Sequence, residues 1–280
     1  MKTLLIAAAV AGLAATGAQA ADIAARTYTK APATVPYSNW TGFYAGVSGG
    51  YGGSDRDSVV SPNDASSIIL FPAGGVGSTA LGPSRLNASG GFGGLQAGYN
   101  WRFSRLVLGI ETDINFADIK SNANTSNVVG GAVPSTLNSS ESLKWFGTVR
   151  GRVGFVAAND FLLFATGGLA YGRVDQAATY TPFGTIGVGF THPFQCSTPA
   201  VACFAGNNSK TDVGYTVGAG GEWMFWKNVS LKAEYSYINL GKTSYNINAT
   251  EPFSPAAVSS MALATTLDYH VVRAGLNWHF

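Results

Sequence analysis

The stretch HVVRAGLNWHF, residues 270–280, decides the fold. Counted back from Phe280 in steps of two, it gives Trp278, Leu276, Ala274 and Val272. Between them stand His279, Asn277, Gly275, Arg273 and Val271. Successive side chains of a β-strand point to opposite faces. As a strand, this segment has one apolar, aromatic face and one face carrying Arg273, Asn277 and His279. A soluble sandwich strand alternates in the same way. Two details favour a membrane barrel. The apolar face finishes in Trp278 and Phe280, which suit a membrane interface, and the strand is expected to be the last element of the chain.

The composition points the same way. Charged residues make up 11% of the 280, against a usual level of about 25%. Glycine is abundant at 36, aromatics reach 12%, and mean hydropathy is +0.14. Past the N-terminus no run approaches the roughly 18 apolar residues of a membrane helix. In a membrane barrel, half the strand residues face lipid and the polar half is diluted by small ones. A soluble all-β domain would need a more charged exterior. The formal charge is +2, and no basic patch is interleaved with aromatics, so nothing points to nucleic acid.

Residues 1–20 read as a secretory signal: Lys2, an apolar run from Leu4 to Ala15, and Ala18-Gln19-Ala20 as an A-x-A site. Cleavage is expected between Ala20 and Ala21, and no lipobox cysteine follows. Residues 21–38, with Pro32 and Pro36, read as an extended periplasmic lead-in to a barrel over 39–280. Eight strand-like stretches follow: 40–54, 89–103, 106–119, 140–158, 161 to about 180, 211–225, 229–245 and 263–280. The facing of the fifth is ambiguous, because Phe161-Leu162-Leu163-Phe164 offers bulk to both sides. Connections alternate. Ser104-Arg105, Asn159-Asp160 and Lys227-Asn228 are tight turns, and the other four are about 20 to 35 residues of Ser, Asn, Gly, Thr and Pro. Short periplasmic turns and long external loops are the pattern of outer-membrane barrels, and an even strand number closes the sheet without a free edge. The expected fold is all-β: an eight-stranded antiparallel transmembrane up-and-down β-barrel.

Gly275-Leu276-x-Trp278-x-Phe280 resembles the C-terminal signal strand of bacterial outer-membrane barrels. Asn39-Trp40-Thr41-Gly42-Phe43-Tyr44-Ala45-Gly46 resembles the first strand of the small outer-membrane immunogenic, porin-like barrels of alphaproteobacteria, of the OmpA/OmpX architectural type. Similar phrases recur at residues 98–101 and 166–172. The resemblance implies an outer-membrane location among lipid and lipopolysaccharide. It also implies recognition of the last strand by the barrel-assembly machinery, and possible host or surface ligands at the long loops. Members include immunogenic surface proteins, some reported as porins or ligand binders.

The polar strand faces hold Arg102, Lys144, Arg150, Arg152, Lys232 and Arg273 against Glu111, Asp113, Glu222 and Glu234. On lipid each Arg or Lys would cost about 2–4 kcal/mol at the midplane. Facing inward they can pair. The interior of an eight-stranded barrel is just wide enough for side chains to fill, so a packed, charge-paired lumen is expected. Gly94, Gly98, Gly109, Gly218 and Gly220 on the inner faces would leave room for arginines.

Candidate chemistry is sparse. Cys196 and Cys203 fall in the third long connection, and export to an oxidising compartment favours a disulfide worth about 2.5 kcal/mol. A metal site with His192 is the weaker alternative. Gly46-x-Ser48-x-Gly50 matches the nucleophile-elbow spacing but sits in a Gly-rich strand without the strand–turn–helix context. Asp268, Tyr269 and His270 make a possible rim cluster for a barrel enzyme, though rim residues at a strand start are the plainer reading. His279 should face the lumen near the periplasm. The tyrosines and tryptophans read as membrane girdles, except Trp40 and Tyr44, which fall on the inward parity. The expectation is a non-enzymatic outer-membrane surface barrel without cofactor, with a narrow porin as the alternative and a rim-site enzyme behind both.

Overall fold

The computed structural model describes residues 40–62, 84–129, 133–182, 204–250 and 260–280. They form eight strands: β1 Gly42–Pro62, β2 Ser84–Phe103, β3 Leu106–Val129, β4 Val133–Ala158, β5 Phe161–Pro182, β6 Phe204–Met224, β7 Val229–Ala249 and β8 Ser260–His279. Each pairs antiparallel with its sequence neighbours, and β1 pairs with β8, so the sheet closes into a barrel. Closure brings Phe280 beside the start of β1, where its backbone N–H donates to the Phe43 carbonyl at 2.9 Å.

Alternation along each strand explains the closure. On β8, Val271, Arg273, Gly275, Asn277 and His279 are buried, and Val272, Ala274, Leu276, Trp278 and Phe280 are exposed. The same rule gives an outward band of Leu106, Leu108, Ile110, Ile114 and Phe116 on β3, and of Phe155, Val153 and Val149 on β4. β5 resolves the same way: Phe161 and Leu163 face outward, and Leu162 and Phe164 point into the barrel. A strand contributes about eleven residues to this band, from Leu106 to Phe116 on β3 and from Phe161 to Tyr171 on β5, which suits a tilted crossing of a bilayer core.

The three expected tight turns lie at one end. Ser104 takes a left-handed φ of 60°. Val156 N–H reaches the Arg105 carbonyl and Met224 N–H the Asp160 carbonyl, each at 2.8 Å. Lys227 and Asn228 sit between Trp226 and Val229, whose backbones exchange hydrogen bonds at 3.3 and 3.4 Å.

The opposite end corrects the expected strand lengths. The connection expected between Ile119 and Ser140 is mostly sheet: the ladder continues from Lys120↔Ser142 to Val129↔Val133. β5, β6 and β7 also run well past the apolar band. Above the band both faces are free of lipid, so Ser, Asn and Thr serve on either side. Backbone hydrogen bonds hold these extensions without an apolar alternation that a sequence reading can detect.

Two irregularities matter below. The β3–β4 register shifts between Phe116 and Ile119, and the β4–β5 register shifts between Leu143 and Trp145. These are β-bulges, which insert an extra residue and re-aim side chains.

Candidate functional site

Among the described residues, most buried charged groups converge in the barrel interior. At the tight-turn mouth, Trp40, Val107, Val156, Leu162 and Met224 form an apolar plug. The ring of His279 lies edge-on to Trp40 at 5.7 Å and stacks on Tyr44 at 5.4 Å. Above the plug, Arg152 pairs with Glu222. Glu222 also accepts from Ser230 at 2.5 Å and Asn277 at 2.8 Å, and lies 3.3 Å from His279 Nε2.

The middle tier is a closed network. Arg150 bridges Glu111 and Glu234 and lies 3.3 Å from Asp113. Lys232 Nζ is 2.7 Å from both Glu111 oxygens and 3.1 Å from Glu234. Arg273 reaches Asp113 at 3.2 Å. Hydroxyls fill the remaining acceptors: Tyr44 donates to Glu111 at 2.6 Å, Thr148 to Asp113 at 2.5 Å and Thr166 to Glu234 at 3.1 Å. Four cations (Arg150, Arg152, Lys232, Arg273) face four carboxylates (Glu111, Asp113, Glu222, Glu234), so this interior set is neutral. The pairing offsets much of the cost of burying these charges, although Arg152 Nη1 and Arg273 Nε and Nη2 are buried without a hydrogen-bond partner among the described residues.

An apolar collar lines the lumen above the charges. It includes Phe92, Ile119, Leu143, Phe146, Ile238, Leu240, Leu267 and Val271. The Phe92 and Phe146 rings meet at 5.2 Å. Ile119 reaches from β3 across to β1, where a Cβ on Gly52 would come within 2.7 Å of it. A second polar cage lies above the collar. Arg56 pairs with Glu141, donates to the Asp268 carbonyl at 2.9 Å and lies 3.2 Å from the Tyr269 hydroxyl. Tyr269 donates to Glu141 at 2.8 Å and Gln176 does so at 3.2 Å. The β1–β8 ladder is interrupted between Gly53↔His270 and Val59↔Ala264, and Arg56 spans that interval.

The sequence-derived residues fall as follows. Glu111, Asp113, Arg150, Arg152, Glu222, Lys232, Glu234 and Arg273 meet in the lumen. Two do not join them. Arg102 lies at the turn end, half-buried, with its Nε donating to the Ser104 carbonyl at 2.7 Å. It is too near the mouth to reach the middle tier. Lys144 faces outward, because it is the extra residue at the bulge between Leu143 and Trp145. Parity inverts there, so Leu143 and Glu141 point inward where simple alternation places them outside. The inner glycines admit rings more than arginines. A Cβ on Gly98 would lie 2.5 Å from the Tyr44 hydroxyl oxygen, and one on Gly220 would lie 2.8 Å from the Phe164 ring. Ser48 is a buried strand residue inside the barrel, without an elbow. The rim cluster splits across the wall: Tyr269 points in, and His270 points out against the Tyr235 hydroxyl at 2.6 Å. Ala20, Ala21, His192, Cys196 and Cys203 lie outside the described residues.

The upper cage was missed. Arg56 lies past the end expected for the first strand, and Glu141 lies beyond the bulge that inverts parity. Only the inverted alternation of Glu141 and Leu143 above Trp145 could have hinted at it.

On the outer wall above the band, Asp175 accepts from the Ser209 hydroxyl and from Arg173 Nε at 3.3 Å. The Ser209 hydrogen bond, followed by Arg173, holds its carboxyl below the usual carboxylate range.

The model of the outer membrane protein beta-barrel domain matches residues 5–280. The chain is 32% identical over 283 residues to the 31 kDa outer-membrane immunogenic protein of Brucella melitensis, covering 100% of both. It is 30% identical over 220 residues to a 22 kDa outer membrane protein of Rhizobium leguminosarum, covering 76% of this chain and 71% of that one. These relatives carry names of outer-membrane proteins rather than enzymes. Among solved structures, the outer membrane protein OprG of Pseudomonas aeruginosa aligns with a TM-score of 0.50 at 14% identity, covering 87% of this chain and 99% of that one, and supports the fold alone.

Proposed function

Because the chain belongs to the outer membrane protein beta-barrel domain family, we propose that it is a non-enzymatic surface barrel, closed to solutes, that acts through its external wall and loops. The observation that carries this reading is the stack inside the barrel. A charge-balanced network lies between an apolar plug around Trp40 and an apolar collar around Phe92 and Phe146. An ion would have to displace paired charges and cross two dry layers, each with a high desolvation cost. The Brucella relative is named an immunogenic protein, which fits a barrel whose outer end is presented to the surroundings. In the same reading, export uses cleavage between Ala20 and Ala21, and the barrel-assembly machinery recognises the strand ending Gly275-Leu276-x-Trp278-x-Phe280. Host or surface ligands would be met at the outer end.

Splitting of Tyr269 and His270 across the wall weighs against a rim enzyme. The porin reading keeps support from lumen groups without a hydrogen-bonding partner among the described residues, Arg152 Nη1 and Arg273 Nη2 among them. The buried side-chain amide of Asn100 has no hydrogen-bonding partner among the described residues, so water in the lower lumen would satisfy it. Single-channel recording of the refolded residues 21–280 in a planar bilayer separates the two readings. A silent membrane with insertion confirmed by protease protection is expected. Stable, reproducible conductance steps would overturn the closed barrel.

A further inference from the structure

Three neighbouring strands each carry a cation on the lipid-facing side just above the apolar band. On β3 the band finishes at Phe116, and Asp118 and Lys120 follow outward. On β4 it finishes at Trp145, and Lys144 follows. On β5 it finishes at Tyr171, and Arg173 follows. Trp145 and Tyr171 meet edge-on at 6.0 Å directly below, and such aromatic pairs mark the membrane–water boundary. The cations therefore stand at the depth of lipid headgroups.

Lys144 is there only because of a bulge. Unbroken alternation from Arg150 through Thr148 and Phe146 would put Lys144 in the lumen. The register shift at Leu143/Trp145 turns it outward, and a second shift at Phe116/Ile119 lies beside it on β3. Two bulges at one level thus bring Lys144 between Lys120 and Arg173. Both flanking cations are held in place: Lys120 by Asp118 at 2.5 Å, and Arg173 by Asp175 at 3.3 Å and by Ser209, to which its Nη2 donates at 2.8 Å. A depression bordered by Lys120, Ser142, Asp175 and Ser209 lies next to the cluster on its outer side, with Lys120 the one cation of the three that lines it. Three cations stand against Asp118 and Asp175, which leaves the patch one positive charge in excess. The outer parts of β8 and β1 instead carry Asp268, Asp55 and Asp57, of which Asp55 pairs with Arg85 at 3.4 Å.

We propose that Lys120, Lys144 and Arg173 hold the phosphate groups of a phosphorylated glycolipid seated in the outer leaflet, its acyl chains lying on the band below. Arg is suited to bidentate phosphate contact and Lys to point-charge contact. The apolar wall beneath supplies what a free anion could not use. This deepens the reading of an outer-membrane barrel with its tight turns at the periplasmic side. It does not depend on whether the lumen conducts, so its failure would leave the closed-barrel reading standing.

The test measures binding of bisphosphorylated lipid A, of dephosphorylated lipid A and of inorganic phosphate to the refolded chain in detergent micelles. The triple variant Lys120→Ala, Lys144→Ala, Arg173→Ala is compared with the control Arg85→Ala, Lys242→Ala. Heat-modifiable gel mobility confirms that each is folded. Bisphosphorylated lipid A is expected to bind at least about tenfold more tightly than the dephosphorylated form, and the triple variant, but not the control, should lose that margin. Equal binding of the two lipids, an unchanged triple variant, equal losses in triple and control, or inorganic phosphate binding as tightly as the lipid would each overturn the proposal. Should the triple variant not refold, Lys144→Ala alone decides, with an expected loss of about fivefold.

Discussion

Arg150 on β4 and Glu234 on β7 stand three strands apart around the ring, yet their side chains meet in the middle of the lumen. Arg150 also holds Glu111 on the adjacent strand, so one guanidinium ties three strands together across the interior.

Replacing Arg150 with Met leaves Glu111, Asp113 and Glu234 facing one another without the guanidinium that bridges Glu111 and Glu234. Removing one partner of a buried pair costs roughly 3–5 kcal/mol. Urea unfolding of Arg150→Met in micelles should show an unfolding free energy lowered by that order, read as a lower midpoint. An unchanged midpoint would mean the network contributes little to stability.

Gly98 and Gly167 make a matched pair for the packing of the wall. A methyl on Gly98 would strike the Tyr44 ring and the Ile110 carbonyl at 2.5–2.6 Å, whereas one on Gly167 has 3.8 Å of clearance. Gly98→Ala should destabilise by about 1–3 kcal/mol and Gly167→Ala by far less, read from the same unfolding curves. Equal effects would contradict the placement of Tyr44 in the lumen.

The collar can be opened by design. In Phe92→Ala, Phe146→Ala the two facing rings are removed from the apolar collar. If the collar is the barrier, the double variant should show more frequent or larger current steps than the parent. Should it stay as silent as the parent, the block lies in the charged tier, and Arg150→Met becomes the informative channel.

Assembly provides a fourth test. Phe280 is exposed on the lipid side and its N–H closes the seam against Phe43. Deleting it should sharply reduce the heat-modifiable, folded form in the outer membrane. Normal assembly of the truncated chain would remove the assembly role assigned to the last strand.

What was legible in the sequence follows from where lipid lies. Leu106 to Phe116 and Val272 to Phe280 alternate because one face meets acyl chains, and that contrast gave strand number, order and facing. Above Phe116 the contrast disappears, so residues 120–139 read as a loop although 120–129 and 133–139 are paired sheet. Lys144 and Glu141 were misplaced or missed because a bulge inverts parity without any compositional mark. The lumen residues could be gathered from parity alone, but the pairing of Arg150 with Glu234 depends on how far strands slide past each other, and that offset is invisible in one sequence.

The height of the sheet sets who can reach the outer end. The twelve residues of β4 from Val133 to Lys144 continue beyond Trp145, and at about 3.3 Å per residue and a tilt near 40° they rise about 30 Å off the bilayer. That is roughly the diameter of a small protein domain. A hydrogen-bonded sheet does not fold down under load, so the upper rim is held at a fixed stand-off. An antibody or receptor could dock there without touching the membrane, while a small headgroup-binding protein at the bilayer surface would meet only the flank.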